Sequence, residues 1–263
     1  MENREPYLSL ARNIAKKAGL LLKNGLGRAH RIKYKGSVNL VTEMDILAEK
    51  FIISAIRRRF PKHAILAEEK TAPEMKSSYR WVIDPLDGTT NYAHGLPIFS
   101  VSIALERDGE IILGVVYDPL RDELFWAGNG QGAFLGKKPI RVSGTARLAQ
   151  SLLVTGFPYD IRTSSVNNLD HFAHFSMGTQ AVRRLGSAAL DLCYVAAGRF
   201  DGYWEMKLGP WDLAAGSFIV REAGGKITDF SGGPIHLNGQ HVLASNGRIH
   251  RQMMEILKTG KIQ

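Results

Sequence analysis

Acidic residues that follow a short apolar run are the part of this sequence best suited to chemistry. Trp81-Val82-Ile83 contains residues favoured in strands and leads into Asp84, and Asp87 follows three residues later. Because Pro85 cannot donate a hydrogen bond to a sheet, we expect the strand to end by Asp84 and the chain to turn there. Two carboxylates at one strand end repel each other unless a cation or a proton lies between them. Carboxylate oxygens, with the Leu86 carbonyl between them, are ligands that suit Mg²⁺.

The residues after Asp87 add hydrogen-bond donors for a phosphate. Gly88 lets the backbone come close to a ligand. With Thr89 and Thr90 it offers backbone N–H groups at the predicted start of a helical turn, which suits a phosphate oxygen. Metal ligands followed directly by such donors indicate phosphate-ester chemistry. Asp, Pro and Gly are also common in surface turns, so this stretch taken alone leaves both interpretations open.

A third carboxylate follows a second predicted strand. Residues 64–67 form a short apolar run that ends in Glu68 and Glu69, and Glu68 precedes Asp84 by only sixteen residues. We therefore expect this strand to neighbour the one before Asp84 and to deliver a carboxylate to the same point.

Two other acidic residues lie near predicted helix starts. Asp212 falls in the first turn of a helix, where it either complements the helix dipole or serves as a fourth ligand. Asp45 completes the pattern Thr42-Glu43-Met44-Asp45, which resembles a capping box opening a helix through about Phe60. The local pattern favours a capping role for Asp45.

The remaining pattern indicates two units along the chain. Alternating apolar residues and glycine turns between positions 99 and 142 are typical of an antiparallel meander. We expect an N-terminal antiparallel-sheet unit of residues 1–142 that carries most metal ligands, and a C-terminal α/β unit of residues 143–263 that carries Asp212 and Glu205. The predicted helices cover residues 6–24, 42–60, 167–175, 187–197, 209–223 and 247–258, and the predicted strands cover 64–67, 81–84, 100–106, 111–117, 124–127, 152–155, 182–185, 200–206, 226–230 and 241–245.

Composition places this chain of 263 residues among ordinary soluble globular proteins. The single Cys193 excludes an internal disulfide and fits a reducing cytoplasm, and neither a signal peptide nor a membrane span is predicted. The formal net charge is +9, which permits contacts with nucleic acid or the capture of anionic substrates. The basic residues are scattered, so a solvated surface is the simpler interpretation.

Three acidic stretches together resemble the inositol monophosphatase family of magnesium-dependent, lithium-sensitive phosphatases. They are Ala67-Glu68-Glu69, the run from Asp84 to Asn91, and Trp211-Asp212-Leu213-Ala214-Ala215-Gly216. Residues 183–192 and 195–199 are most similar to the bacterial branch of the family. The resemblance implies a layered α-β-α-β-α sandwich, of the sugar phosphatase type, with the active site between the two units.

The resemblance also implies two to three Mg²⁺ ions and a ligand set. Glu68, Asp84 and the Leu86 carbonyl would hold one ion, and Asp84, Asp87 and Asp212 a second. A third, weaker ion would lie near Glu68.

Further roles follow from the same resemblance. Glu68 and Thr89 would hold the attacking water, and Asp45 would orient Thr89, which gives Asp45 a role beyond capping. Residues implied to contact the substrate are Lys35 of a mobile loop, Asp87, Gly88, Thr89, Glu205 at the inositol hydroxyls, and Asp212.

The predicted function is hydrolysis of myo-inositol 1-phosphate and related polyol or sugar phosphates by metal-activated water. Fructose-1,6-bisphosphatase and nucleotide 3′-phosphatase activities are alternatives on the same fold. The resemblance further implies a homodimer, with Arg183 and Arg184 near its interface, and a second role as a partner of the ribosomal RNA transcription machinery through RNA polymerase or RNA.

Overall fold

The computed structural model describes residues 5–27, 32–34, 40–69, 75–237 and 241–259. Three layers of helices alternate with two large β-sheets, which is the expected α-β-α-β-α sandwich. The first two strands of the described residues pair separately as a small antiparallel sheet. Within the described parts of the chain, every helix is too short or too polar to cross a membrane.

Seven helices and fourteen strands make up the described structure. The helices are α1 (Glu5–Gly25), α2 (Glu43–Arg59), α3 (Thr89–Ala93), α4 (Leu169–Gly178), α5 (Ala188–Ala196), α6 (Pro210–Glu222) and α7 (His250–Thr259), with one 3-10 turn at Leu148–Gln150. The strands are β1 (Ile32–Tyr34), β2 (Leu40–Thr42), β3 (Ala64–Ala67), β4 (Tyr79–Asp87), β5 (Ser100–Arg107), β6 (Glu110–Asp118), β7 (Glu123–Gly128), β8 (Ala133–Leu135), β9 (Lys138–Ile140), β10 (Leu152–Thr155), β11 (Ala181–Arg183), β12 (Gly202–Met206), β13 (Lys226–Thr228) and β14 (His241–Ser245).

The first sheet contains seven strands in the order β3-β4-β5-β6-β7-β8-β9. From β4 onward each neighbour is antiparallel, as the alternating pattern predicts, whereas β3 runs parallel to β4. Helices α1 and α2 cover its outer face, because their apolar sides, including Leu22 and Ile52, pack in one core with Trp81 and Ile83. This core holds β4 in place, and β4 carries the acidic residues.

Strand β4 continues further than the sequence predicts. Pro85 does not end it at Asp84; Asp84 pairs with Ser102, and Asp87 pairs with Ser100. Two residues of β4 thus lie opposite one residue of β5, which is a β-bulge. Because Pro85 lies within this bulge, its lack of an N–H group costs the sheet no hydrogen bond. Asp84 and Asp87 are therefore held on a bulged strand and not on a free turn.

The second sheet has the order β11-β10-β12-β14-β13. Strand β10 is parallel to β11 and β12, and β14 is antiparallel to β12 and β13. Helices α4 and α7 cover its outer face, where Phe175 and Met253 pack with Trp204. The predicted strands at 182–185, 200–206 and 226–230 are each shorter in the structure.

Helices α5 and α6 lie between the two sheets and belong to one core with both. Val82 and Val116 from the first sheet join Leu190, Ile219 and Tyr203 in this cluster. We propose that residues 1–142 and 143–263 are two units that share this helix layer and do not fold as independent domains.

Candidate active site

A cavity of about 570 Å³ opens between the end of β4 on one side and the ends of β12 and the start of α6 on the other. Its lining includes five carboxylate residues from both halves of the chain. They are Glu68, Asp84, Asp87, Glu205 and Asp212.

Strand pairing explains how Glu68 reaches this cavity. Ala67 of β3 is opposite Ile83 of β4 in parallel register, and the Glu68 N–H donates to the Ile83 carbonyl at 3.2 Å. Because parallel strands end at the same sheet edge, Glu68 and Asp84 leave the sheet together. The predicted delivery of a third carboxylate by a neighbouring strand is confirmed.

Three of the carboxylates form a tight cluster. One oxygen each from Asp84, Asp87 and Asp212 lies within 4.8 Å of the others. Glu68 lines the same cavity but is not part of this closest group. Among the described residues, no lysine or arginine forms an ion pair with the three clustered acids.

Burial and mutual repulsion make the charged forms of these acids costly. Burial raises the pKa of Asp84 well above its usual range, and the charges of Glu68, Asp87 and Asp212 raise it further. Burial likewise raises the pKa of Asp212, together with the charges of Asp87 and Glu68. A site of this kind needs a cation or protons for neutralisation. The oxygen donors fit a hard divalent cation, so Asp84, Asp87 and Asp212 are residues that can hold a metal ion.

Asp87 has a structural partner that sequence reasoning missed. Its carboxylate accepts hydrogen bonds from the Ser187 hydroxyl at 2.5 Å, and from the N–H groups of Ala188 and Ala189 at 3.2 and 2.9 Å. These groups form the start of α5, so Asp87 caps a helix of the other half of the chain. The sequence near Ser187 predicted the start of this helix. It contained no signal for the bond to Asp87, because the two residues are 100 positions apart.

The other two clustered acids are held locally. Asp84 Oδ1 accepts from the Leu86 N–H at 2.9 Å. Asp212 Oδ2 accepts from the Gly209 N–H at 2.7 Å, as the third residue of α6 in a capping arrangement. Asp212 thus combines the two interpretations of the sequence, because one oxygen caps the helix while the residue also joins the acidic cluster.

Asp45 also has two partners. Its Oδ2 accepts from the Thr42 N–H and hydroxyl at 2.8 and 2.6 Å, which confirms the predicted capping box. Its Oδ1 accepts from the Thr89 hydroxyl at 2.9 Å. The same Thr89 oxygen lies 3.0 Å from the Leu86 carbonyl, which brings this pair to the wall of the acidic cavity.

Gly88 is required by the backbone at the end of β4. Its φ of +98° lies in the left-handed region, and it precedes the first residue of α3. A Cβ there would lie 3.0 Å from the Ile98 carbonyl oxygen and 3.2 Å from that of Gly186. Nearby, Asn91 donates through Nδ2 to the carbonyls of Ile98 and Leu185, both at 2.8 Å. Asn91 thus joins the two halves beside the site, and sequence reasoning missed this role.

Glu205 lies on β12 and lines the same cavity as the acidic cluster. It is 8% exposed, and its Oε2 accepts from the Tyr203 hydroxyl at 2.7 Å. Burial, with a contribution from the charge of Asp87, raises the pKa of Glu205 to about 7. Its carboxylate packs directly on Gly156, where no side chain intervenes. Lys35, predicted from the resemblance, lies outside the described residues.

The layered fold and the acidic cluster define a phosphatase with a site suited to metal ions. The sequence profile of the inositol monophosphatase family matches residues 3–260, and the chain belongs to this family. An inositol-1-monophosphatase of Synechocystis is 46% identical to this chain, over 96% of this chain and 89% of its own length. A Nus factor SuhB of Pasteurella multocida is 45% identical, over 95% of this chain and 94% of its own length. The solved structure of an inositol monophosphatase from Anabaena covers 98% of this chain and 97% of its own, with a TM-score of 0.89 and 45% identity.

Proposed function

We propose that this protein is a magnesium-dependent phosphomonoesterase that hydrolyses myo-inositol 1-phosphate and related polyol phosphates. The observation that carries the proposal is the cluster of Asp84, Asp87 and Asp212 directly beside the turn at Gly88 and Thr89. The similarity to the Synechocystis inositol-1-monophosphatase supports the choice of substrate.

Two to three Mg²⁺ ions are proposed at this cluster. Glu68, Asp84 and the Leu86 carbonyl would hold one ion, and Asp84, Asp87 and Asp212 another. Bound Mg²⁺ offsets the negative charge of the phosphate and of the departing oxygen and helps a water molecule to lose its proton.

The residues of the chain supply position and proton acceptors. The Thr89 hydroxyl donates to Asp45, so its lone pairs remain to accept a hydrogen bond from the attacking water. Glu68 holds the same water from the end of β3. The N–H groups of Gly88 and Thr89, at the start of α3, have no partner inside that helix and can donate to phosphate oxygens. Asp87 and Asp212, which line the cavity, are proposed to face the phosphate.

Glu205 supports a polyol as the leaving group. Its buried carboxylate lines the same cavity as the cluster and already accepts one hydrogen bond from Tyr203. A carboxylate has further acceptor positions, which suit the hydroxyl groups of inositol. We also propose Lys35 as a basic residue that contributes to binding of the phosphate.

Turnover of a panel of phosphate esters tests this function. The panel contains myo-inositol 1-phosphate, glycerol phosphate, fructose 1,6-bisphosphate and a nucleoside 3′-phosphate. We expect the highest kcat/KM for the inositol ester, a requirement for magnesium, and inhibition by calcium, whose looser coordination misplaces the reacting groups. Full turnover in excess chelator would exclude the metal-dependent reaction. A higher kcat/KM for fructose 1,6-bisphosphate or the nucleoside 3′-phosphate would exclude the inositol ester as the preferred substrate.

A second candidate function comes from the relatives named Nus factor SuhB, at 45% identity in Pasteurella multocida. We propose that the chain also binds the ribosomal RNA transcription machinery, through RNA polymerase or RNA, and that it does so as a homodimer with the exposed Arg183 and Arg184 near the dimer interface. Salt-dependent binding to RNA polymerase by Asp84→Asn would support a role separate from catalysis. Sedimentation of the protein as a monomer at micromolar concentration would contradict the dimer.

A further inference from the structure

One side of the cavity is formed by the β10–α4 loop, residues 156–168. Its first four residues line the same cavity as the acidic cluster, and among them is Tyr159. The Tyr159 side chain remains 57% exposed. A large aromatic residue that remains this exposed in the lining of the cavity is placed where it can contact a ligand.

The loop is fastened at two points, so the position of Tyr159 is defined. Lys207, directly after β12, donates through Nζ to Asp160 Oδ2 at 2.7 Å and to Ser164 Oγ at 2.8 Å. At the other end, Asn168 donates through Nδ2 to the Gly156 carbonyl at 2.7 Å, and its Oδ1 accepts from Trp204 Nε1 at 2.7 Å. Asp160, the residue next to Tyr159, thus forms an ion pair with Lys207.

The protonation state of Tyr159 determines what its hydroxyl can do. A tyrosine phenol has an ordinary pKa of about 10, so the Tyr159 hydroxyl keeps its proton at neutral pH. Arg184 and Lys207 line the cavity as cations, and Tyr159 adds a neutral hydrogen-bond donor.

We propose that the Tyr159 hydroxyl donates a hydrogen bond to the phosphate group of the bound ester, and that Lys207 positions it by holding the β10–α4 loop. A phosphate dianion beside the clustered acids has oxygen atoms that need donors, and a donor on the loop complements those of Gly88 and Thr89. This inference rests on the proposed phosphatase function. It adds a substrate contact from the second half of the chain.

The test compares Tyr159→Phe with wild type on two esters, myo-inositol 1-phosphate and glycerol phosphate. Because the phosphate is common to both, kcat/KM should fall by a similar factor on each, about tenfold to a hundredfold for one hydrogen bond to a charged group. Inhibition by inorganic phosphate should weaken as well, while the melting temperature and magnesium affinity stay unchanged. Tyr7→Phe, in an aromatic cluster on α1 outside the cavity, is the matched control and should behave as wild type.

Lys207→Met tests the positioning role. The change removes both bonds to the loop, so kcat/KM should fall in the same direction as in Tyr159→Phe. The double variant should be little worse than the more damaged single variant, since the two residues act through one contact.

The outcomes are distinct. Unchanged kinetics and phosphate inhibition in Tyr159→Phe would overturn the inference, and so would a loss confined to the inositol ester, which would place the hydroxyl at the leaving group. Additive losses in the double variant would overturn the role of Lys207. If wild type hydrolyses neither ester with magnesium, the proposed function itself fails, which is a different result.

Discussion

A single carboxylate can serve a helix and a reaction, and Asp45 has the geometry for both. Its two oxygens have separate partners, with Thr42 on Oδ2 and Thr89 on Oδ1. The capping and catalytic roles of Asp45 are therefore compatible. They can be tested separately by substituting Thr42 or Thr89 and leaving Asp45 unchanged.

Thr89→Val should reduce turnover without affecting the cap. The substitution keeps the shape of the side chain but removes the hydroxyl that links Asp45 to the attacking water. We expect single-turnover rates to fall by about a hundredfold to ten-thousandfold, the usual scale for a positioned acid–base group. Magnesium affinity and melting temperature should stay close to wild type, because the Thr42–Asp45 bonds remain.

Thr42→Ala is the matched variant on the other oxygen of Asp45. Loss of the capping hydroxyl should lower stability by about 1 kcal/mol and leave the rate near that of wild type. Asp45→Asn should show both effects, and Asp45→Asn combined with Thr89→Val should turn over little more slowly than either alone. A normal rate in Asp45→Asn with a lowered melting point would restrict Asp45 to capping.

Asp84→Asn should damage metal binding more than Asp212→Asn does. Asp84 is proposed to contact two ions, whereas Asp212 is proposed to contact one, so calorimetric titration with magnesium should lose both phases in the first variant and mainly one in the second. Asp118→Asn provides the control, because Asp118 is fully buried but binds Arg121 outside the cavity. Titrations indistinguishable from wild type in both site variants would mean that these acids are structural.

At the scale of secondary-structure elements, the close contact between Gly156, directly after β10, and Glu205 on β12 determines where the Glu205 carboxylate lies. A Cβ built on Gly156 would be 2.1 Å from Glu205 Oε1, so the absence of a side chain at position 156 creates the space for the carboxylate. Glu205 and Gly156 both line the cavity. The substrate-facing end of β12 therefore depends on a glycine in a different element.

Gly156→Ala should imitate the loss of Glu205. Displacement of the carboxylate should raise KM for myo-inositol 1-phosphate roughly tenfold, the effect of losing about one hydrogen bond to a charged group. A small ester without polyol hydroxyls should be affected little. Glu205→Gln should show the same selectivity, and Gly144→Ala, at a position with open space around it, should change nothing. An equal loss on both esters in Glu205→Gln would remove Glu205 from substrate recognition.

Local patterns predict elements better than they predict contacts between elements. The capping box before α2, the strand before Glu68 and the meander from β5 to β7 all depend on residues close in sequence, and all three are confirmed. The predicted end of β4 was wrong because the bulge depends on pairing with β5. The bond from Ser187 to Asp87 joins residues 100 positions apart, and sequence periodicity carries no information about it.

For the whole molecule, the shared middle layer connects the site to the core. Helices α5 and α6 pack against both sheets. The start of α5 binds Asp87, and the start of α6 carries Asp212. The starts of α5 and α6 are held in place by the same buried cluster, so packing of the entire sandwich sets the distance between Asp87 and Asp212. This explains why acids from distant parts of the sequence meet within 4.8 Å.

The pH dependence of global stability should reveal a buried histidine outside the site. His250 is 2% exposed, and its Nδ1 and Nε2 each lie 2.9 Å from a hydroxyl, of Ser245 and Thr228 respectively. The Thr228 hydroxyl donates to the Asp229 carbonyl at 2.7 Å, so it accepts from Nε2, and Ser245 donates to Nδ1. This network binds the neutral ring.

Burial, with a smaller contribution from the charge of Lys226, lowers the pKa of His250 from 6.5 to about 4 in the folded protein. The unfolded chain therefore binds a proton first as pH falls, so the contribution of His250 to stability is complete above pH 6.5 and is lost progressively down to about pH 4. Between pH 7 and pH 5 we expect the free energy of unfolding in urea to fall by about 2 kcal/mol from this residue. His250→Gln keeps a polar side chain between the two hydroxyls but cannot titrate, so its stability should fall less than that of wild type by this amount. Parallel losses in the two proteins over this range would show that His250 does not govern the acid sensitivity of the fold.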